Sequence, residues 1–282
     1  MSVKVGLLAD VLLGEPPRGV HPVVAFGSLM RRVEARIYRD DRAAGAVHAF
    51  IGTAIGAGSG LIVRSTVATY LAVAARSLWD EAAGVEGALL EGDLAEARSR
   101  LPALVGRDPS DLDEKEMARA VVESVAENTV DAIVAPALWA TVAGGPGALG
   151  YRAANTLDAM IGHRSPRYER FGWASARLDD GLNWVPARAT AALVAAVRPR
   201  SAPEIWRAVR DQAPLHPSPN AGVSEAAFAA GLGLRLGGEN HYGERVEPRP
   251  PLGTGRPPEV ADIQRAVTLS KHVTLALAAV VP

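Results

Sequence analysis

Three carboxylates, Glu123, Glu127 and Asp131, recur at intervals of four residues. On a helix, positions four apart drift only about 40° around the axis, so one face carries three acids. Like charges at this spacing repel, and a divalent ion carrying nucleotide phosphates reverses that sign. Mg²⁺ takes one or two carboxylates together with phosphate oxygens and water, which such a stripe can supply. The bland alternative is a solvated acidic face. An uncharged, proline-broken segment follows immediately, and that position favours the site.

Two further clusters mix acids with amides and arginines. Asn155 and Asp158 lie one helical turn apart, followed by Gly162, His163, Arg164 and Tyr168. In the run Ala174 to Arg188, Asp179 and Asn183 are four apart, and Asp180 lies three from both Arg177 and Asn183. Adjacent aspartates point about 100° apart on a helix, so Asp179 and Asp180 are expected to do different work, one toward a metal and one toward an arginine. The structural alternative is an ordinary Arg177–Asp180 surface pair with an asparagine cap. Near the N-terminus, Asp10 precedes Gly14-Glu15-Pro16-Pro17 and His21-Pro22, a stiff loop able to present Asp10 and His21.

The elements that must position these residues read as mostly helical. Phe, Trp and Tyr make up 5% of a chain whose hydrophobic share is 48%, so the apolar surface is chiefly Ala, Val and Leu, which favours helices. No β-alternation is evident, and Glu247 to Pro258 reads as a surface loop. Helical charge patterns run from Leu89 to Arg100 and from Leu112 onward, with Ser110 or Asp111 as cap of the second. The glycines Gly231, Gly233, Gly237 and Gly238 suit helix packing or a C-cap.

From Ala43 to Val63 no residue is charged, and after Arg64 the run continues to Ala75. About 20 apolar residues cross a bilayer, so residues 43–75 are a candidate membrane segment. Arg31, Arg32, Arg36, Arg39 and Arg42 lie just upstream, the side that the positive-inside tendency keeps in the cytoplasm. Residues 132–151 form a second candidate, and Pro136, Pro146 and several glycines make it a broken or re-entrant helix. The N-terminus shows no secretory cleavage pattern.

Other chemistries drop out. With no cysteine there is no disulfide, thiolate metal site or Cys nucleophile. Net charge is -1 and no basic run occurs, so no nucleic-acid partner is expected. None of Lys4, Lys115 and Lys271 sits in a P-loop, and neither a nucleophile elbow nor a His-Glu-x-x-His motif is present.

Long strings of unusual residues resemble the cobinamide-phosphate synthases, the CobD/CbiB family. They are Ala9 to Pro22 (ADVLLGEPPRGVHP), Glu123 to Pro136 (ESVAENTVDAIVAP), Asn155 to Gly162 (NTLDAMIG), Tyr168 to Arg188 (YERFGWASARLDDGLNWVPAR), Ser218 to Ala221 (SPNA) and Gly237 to Gly243 (GGENHYG). The likeness covers about the first 35 residues and nearly everything after Ala118; between Ala43 and Arg107 it is one of character alone.

The resemblance implies a single domain over 1–282, mainly α: a multi-helix membrane-associated bundle with broken helices around a polar site. It implies a multi-pass inner-membrane enzyme with its site toward the cytoplasm. The expected reaction joins adenosylcobyric acid to aminopropanol or its O-phosphate, with ATP as substrate and Mg²⁺ as cofactor. On this reading Glu123, Glu127, Asp131 and Asp179 or Asp180 hold Mg²⁺–ATP, and Arg177 and Arg188 stabilise the transferring phosphoryl group. Asp131 and Asp180 are essential to turnover. Asp10, Asn128, Asn155, Asn183 and Asn220 orient the corrin amides or the amino-alcohol, and Asp158 or His21 takes the ammonium proton. Two alternatives compete with this reading: a non-catalytic membrane scaffold or sensor, which would lack the polar clusters, and a prenyl transferase, which would need Asp-rich motifs absent here.

Overall fold

The computed structural model describes residues 2–17, 21–106, 109–110, 112–163, 165–242 and 245–282, with backbone alone for 239–242 and 245–247. In chain order the helices are α1 (Ser2–Leu13), α2 (Pro22–Ile37), α3 (Arg42–Ile62), α4 (Ser65–Ala72), α5 (Ala75–Leu90), α6 (Leu94–Arg100), α7 (Glu114–Thr129) and α8 (Ala135–Leu157). Then come α9 (Trp173–Val197), α10 (Ala202–Asp211), α11 (Ala221–Leu232), the strands β1 (Leu236–Tyr242) and β2 (Arg245–Leu252), and α12 (Ala261–Val280). The chain falls into two compact units: Met1–Arg76, Asp131–Trp184 and Ala278–Pro282 form one, and Ser77–Val130 with Val185–Leu277 the other.

In the first unit, α3 turns a stripe of small residues, Gly45, Ala49, Gly52, Gly56 and Gly60, into the interior. A Cβ at Gly56 would stand 2.5 Å from both Ala153 Cβ and Leu149 O of α8, and one at Gly60 would overlap the backbone of Gly145 and Pro146. Small residues let two helix backbones approach this closely. The segment 43–75 is not one continuous helix. It breaks at Val63 and Arg64, both extended, because Ser65 starts a new helix whose hydroxyl accepts from Gly145 N–H at 3.2 Å. The expected break in 132–151 is present: within α8, Ala143 and Gly144 leave helical geometry, Gly144 with φ 62, just before Pro146. Among the described residues two helical stretches are long and apolar enough to cross a membrane, Arg42–Ile62 and Glu114–Gly162.

Two π-helical turns, Val130–Val134 and Asp158–Gly162, bracket α8. Such turns insert an extra residue into a helix and redirect side chains, and they recur at functional sites. Here they contain Asp131 and Asp158.

In the second unit α7 begins with a capping box: Glu116 N–H donates to Asp113 Oδ1 at 2.8 Å, and Asp113 N–H donates to Glu116 Oε2 at 2.9 Å. The cap is therefore Asp113, not Ser110: Asp113 has Glu116 three residues on to complete the reciprocal pair, whereas Ser110 has Asp113 there. Asp111 lies outside the described residues. The helix expected over Leu89–Arg100 is interrupted at Gly92, φ 75, after which Asp93 caps α6.

A hairpin replaces the expected absence of strands, and β2 covers the first half of the segment expected to be a loop. Prolines and glycines hid it. Pro248, Pro250 and Pro251 cannot donate to a ladder, and Gly237 (φ 88) and Gly238 (φ 118) break the register between Leu236 and Gly238. Gly233, φ 69, is the C-cap of α11, as the glycine pattern suggested.

Candidate functional site

In the first unit Asp131, Tyr151, Asn155, Asp179 and Asn183 form one hydrogen-bonded network. Asn155 Nδ2 donates to Asp131 Oδ2 and to Asp179 Oδ1, both at 3.2 Å, so a single amide joins two carboxylates. Asn183 Nδ2 donates to the other oxygen of Asp179 at 3.0 Å, and Tyr151 O–H donates to Asn183 Oδ1 at 2.8 Å. Asn155 and Tyr151 are one turn apart on α8, as are Asp179 and Asn183 on α9, so the i, i+4 spacing brings two pairs together. Burial pushes Asp179 up to about 6, although the amides of Asn155 and Asn183 favour its charged form.

Asp180 points elsewhere. It faces Arg177 at 3.6 Å on the more exposed side of α9, as expected for adjacent aspartates. Burial raises its pKa and Arg177 lowers it. Asp158 lies in its π turn, packed over Gly162.

Asp10 and His21 hold structure. Asp10 is fully buried, and its Oδ2 accepts from the N–H groups of Ala75 (2.8 Å) and Arg76 (3.2 Å) at the start of α5. Burial raises its pKa to about 6. His21 is the N-cap of α2: Nδ1 accepts from Val23 N–H at 3.2 Å, which puts the proton on Nε2, 3.1 Å from Glu15 Oε1. These contacts give the Asp10–Pro22 string a part in holding the starts of α2 and α5.

The second unit holds a cleft of about 210 Å³ lined by charged groups: Glu123 and Glu127 from α7, His216, Glu225 from α11 and Arg249 from β2. Glu123 Oε1 accepts from Gly237 N–H at 3.0 Å, and Arg119 Nη1 donates to Gly237 O at 2.8 Å, so α7 grips the hairpin at its irregular residue. Arg249 Nη1 lies 3.0 Å from His216 Nε2. A guanidinium only donates, so Nε2 accepts and the proton sits on Nδ1, donated to Ser218 O at 3.2 Å. Glu225 Oε1 stands 3.8 Å from the same Nε2. Burial first, then the Arg249 charge, lower the pKa of His216, against the Ser218 backbone and Glu123, which raise it. Beside the cleft, Arg188 Nη1 donates to Asn220 Oδ1 at 3.3 Å, and Ser218 Oγ accepts from Ala221 N–H at 3.2 Å. Asn128 turns back on its own helix, donating to Ser124 O at 3.0 Å.

The four carboxylates expected to hold a metal are divided between the two units. Asp131 and Asp179 belong to the first unit and Glu123 and Glu127 to the second. Among the described residues no group of three or more His, Asp or Glu side chains is placed to hold one metal ion. Within the first unit, Asp131 and Asp179 are joined through Asn155.

The profile of the family described as CobD/Cbib protein matches residues 3–270. The chain belongs to the CobD/Cbib family. Similar members are the "Cobalamin biosynthesis protein CobD" of Mycobacterium tuberculosis (strain CDC 1551 / Oshkosh), 49% identical over 97% of this chain and 91% of that one, and that of Chromobacterium violaceum, 45% identical over 95% and 91%. The protein of the same name from Rhodobacter capsulatus is 42% identical over 100% of this chain and 95% of its own. No solved structure matches the chain significantly.

Reading the sequence missed Tyr151, His216, Glu225 and Arg249. Tyr151 carried a signal, four residues before Asn155 on one helical face. His216 sits two residues before the SPNA string in a His-Pro pair like that of His21, and Arg249 is masked by flanking prolines.

Proposed function

We propose that this CobD/Cbib protein acts in cobalamin biosynthesis, joining the carboxylate of adenosylcobyric acid to (R)-1-amino-2-propanol O-phosphate, or to aminopropanol, in an ATP-dependent amide synthesis that yields adenosylcobinamide phosphate. Family membership and the names of relatives matching more than nine-tenths of the chain support the pathway. The observation that carries the chemistry is the Asp131–Asn155–Asp179 bridge.

A carboxylate is a poor electrophile at neutral pH, and converting it to an acyl phosphate lets an amine attack and phosphate leave. The protein's task is then to position phosphates and to stabilise charge. Two carboxylates set among amide groups are a hard-oxygen set of the number Mg²⁺ takes, so the donor set fits. Asp131 and Asp179 would hold Mg²⁺, which neutralises phosphate charge when bound. Asn155, Asn183 and Tyr151 fix the carboxylate rotamers. Arg177, well exposed beside Asp180, is the candidate for the transferring phosphoryl group within this unit. Asp158 or His21 is the candidate to take the ammonium proton.

The same reading puts the chain in the inner membrane with its site toward the cytoplasm. Supporting it are α3, whose 21 residues span about 31 Å at 1.5 Å each, and the arginines preceding it. The test of function is amide formation by detergent-purified protein given all three substrates and Mg²⁺. Asp131→Asn and Asp179→Asn should each abolish product; near-normal turnover in both would remove the metal assignment.

A further inference from the structure

The cleft of the second unit has no role in the phosphate chemistry just described. Its volume, about 210 Å³, is below the roughly 300 Å³ where pockets for drug-sized ligands begin. A nucleotide or a corrinoid ring does not fit inside it; a molecule of a few carbons with one charged group at each end does. The lining has this bipolar character. Arg249 and Glu225, a fixed cation and an anion, both lie within 3.8 Å of His216 Nε2, and Glu127 adds a second carboxylate on the exposed side of α7. Both charges meet His216 at the same Nε2, and the Ser218 carbonyl holds the ring by its other nitrogen. The carboxylates of Glu225 and Glu127, beside a guanidinium, suit an organic ammonium.

We propose that this cleft binds the small amine co-substrate as a zwitterion, its ammonium on Glu225 and Glu127 and its phosphate on Arg249. The inference rests on the amide-forming reading above and adds to it where the amine sits. His216 is a positioning residue that holds Arg249 and Glu225 at one spacing.

The experiment is calorimetric titration of full-length protein in detergent with aminopropanol O-phosphate and, separately, aminopropanol, without ATP or corrinoid, followed by steady-state kinetics. Arg249→Gln should weaken binding of the phosphate ester at least tenfold and leave the unphosphorylated amine unchanged. Glu225→Gln and Glu127→Gln should weaken both amines and raise the KM for amine, with the KM values for ATP and corrinoid unmoved. Glu127 is exposed, so its variant keeps the test open if a more buried one fails to fold. Unchanged amine affinity in the folded variants, a rise in the KM for ATP or corrinoid instead, or no amine binding by the wild type would overturn the assignment. If the cleft variants lose amine binding but no amide forms under any condition, the reaction falls and the amine site stands.

Discussion

Replacing Asn155 by Leu removes the amide that joins Asp131 to Asp179 while keeping the side chain's branching and number of heavy atoms, so the effect is chiefly on the polar contacts. Two hydrogen bonds to carboxylates are lost, each at 3.2 Å. Bonds to charged groups contribute about 1.5–3 kcal/mol each, and 3.2 Å is the long end of the N–H···O range, so the pair is worth about 3 kcal/mol. Without the shared donor the two carboxylates face each other with no common partner, and each can rotate away from the geometry that a metal requires. If that geometry is needed in the transition state, 3 kcal/mol is a loss of about 100-fold in kcat/KM, at 1.4 kcal/mol per factor of ten. The assay is amide formation against Mg²⁺ concentration, with thermal unfolding to confirm a folded variant. A kcat/KM within threefold of wild type in folded Asn155→Leu would refute the argument that this bridge organises the reactive groups.

Gly56→Leu places atoms where a Cβ alone is 2.5 Å from α8, so overpacking should cost at least the ~1–3 kcal/mol of a crowded core and sharply reduce folded yield; Gly58→Leu, with nothing within 4 Å, is the neutral control, and size-exclusion yield compares them. Asp10→Asn keeps an acceptor for Ala75 and Arg76 N–H but removes the buried charge. Because the folded pKa of Asp10 is raised from 3.8 to about 6, its favourable contribution is full below about pH 4 and is lost as pH rises through 6, which leaves a cost of roughly 3 kcal/mol above that. The variant should therefore melt higher than wild type at pH 8 and no higher at pH 4; a gap independent of pH refutes the assignment. Glu123→Ala removes the acceptor for Gly237 N–H and should cost about 1–3 kcal/mol with faster hydrogen exchange at that amide, whereas Glu123→Gln retains most of the protection.

Local periodicity made much of the first-unit network legible. Asp179 with Asn183, and Asp179 against Asp180, followed from helical geometry, and both were found. What spacing alone does not reveal is which residue on another helix completes the group: Tyr151 and Asn155 meet Asp179 and Asn183 only through packing. The acidic stripe illustrates the opposite limit. Glu123, Glu127 and Asp131 are equivalent on a helical wheel, yet a backbone amide from a distant hairpin captures Glu123, and a π turn re-aims Asp131. That hairpin was illegible because its strands are built from residues that normally interrupt strands, and its irregular Gly237 is stabilised by α7 rather than by the ladder. The Asp10 and His21 string was conspicuous as a motif, but their buried capping contacts show that an unusual local sequence can serve the fold.

The most direct test of the central claim is a single-turnover reaction with purified protein, adenosylcobyric acid, aminopropanol O-phosphate and Mg²⁺–ATP, following corrinoid product and nucleotide hydrolysis together. The expected result is one amide formed per nucleotide consumed, lost in both Asp131→Asn and Asp179→Asn. Amide-free nucleotide hydrolysis, or no turnover with either phosphorylated or free amine in folded wild-type protein, would contradict it.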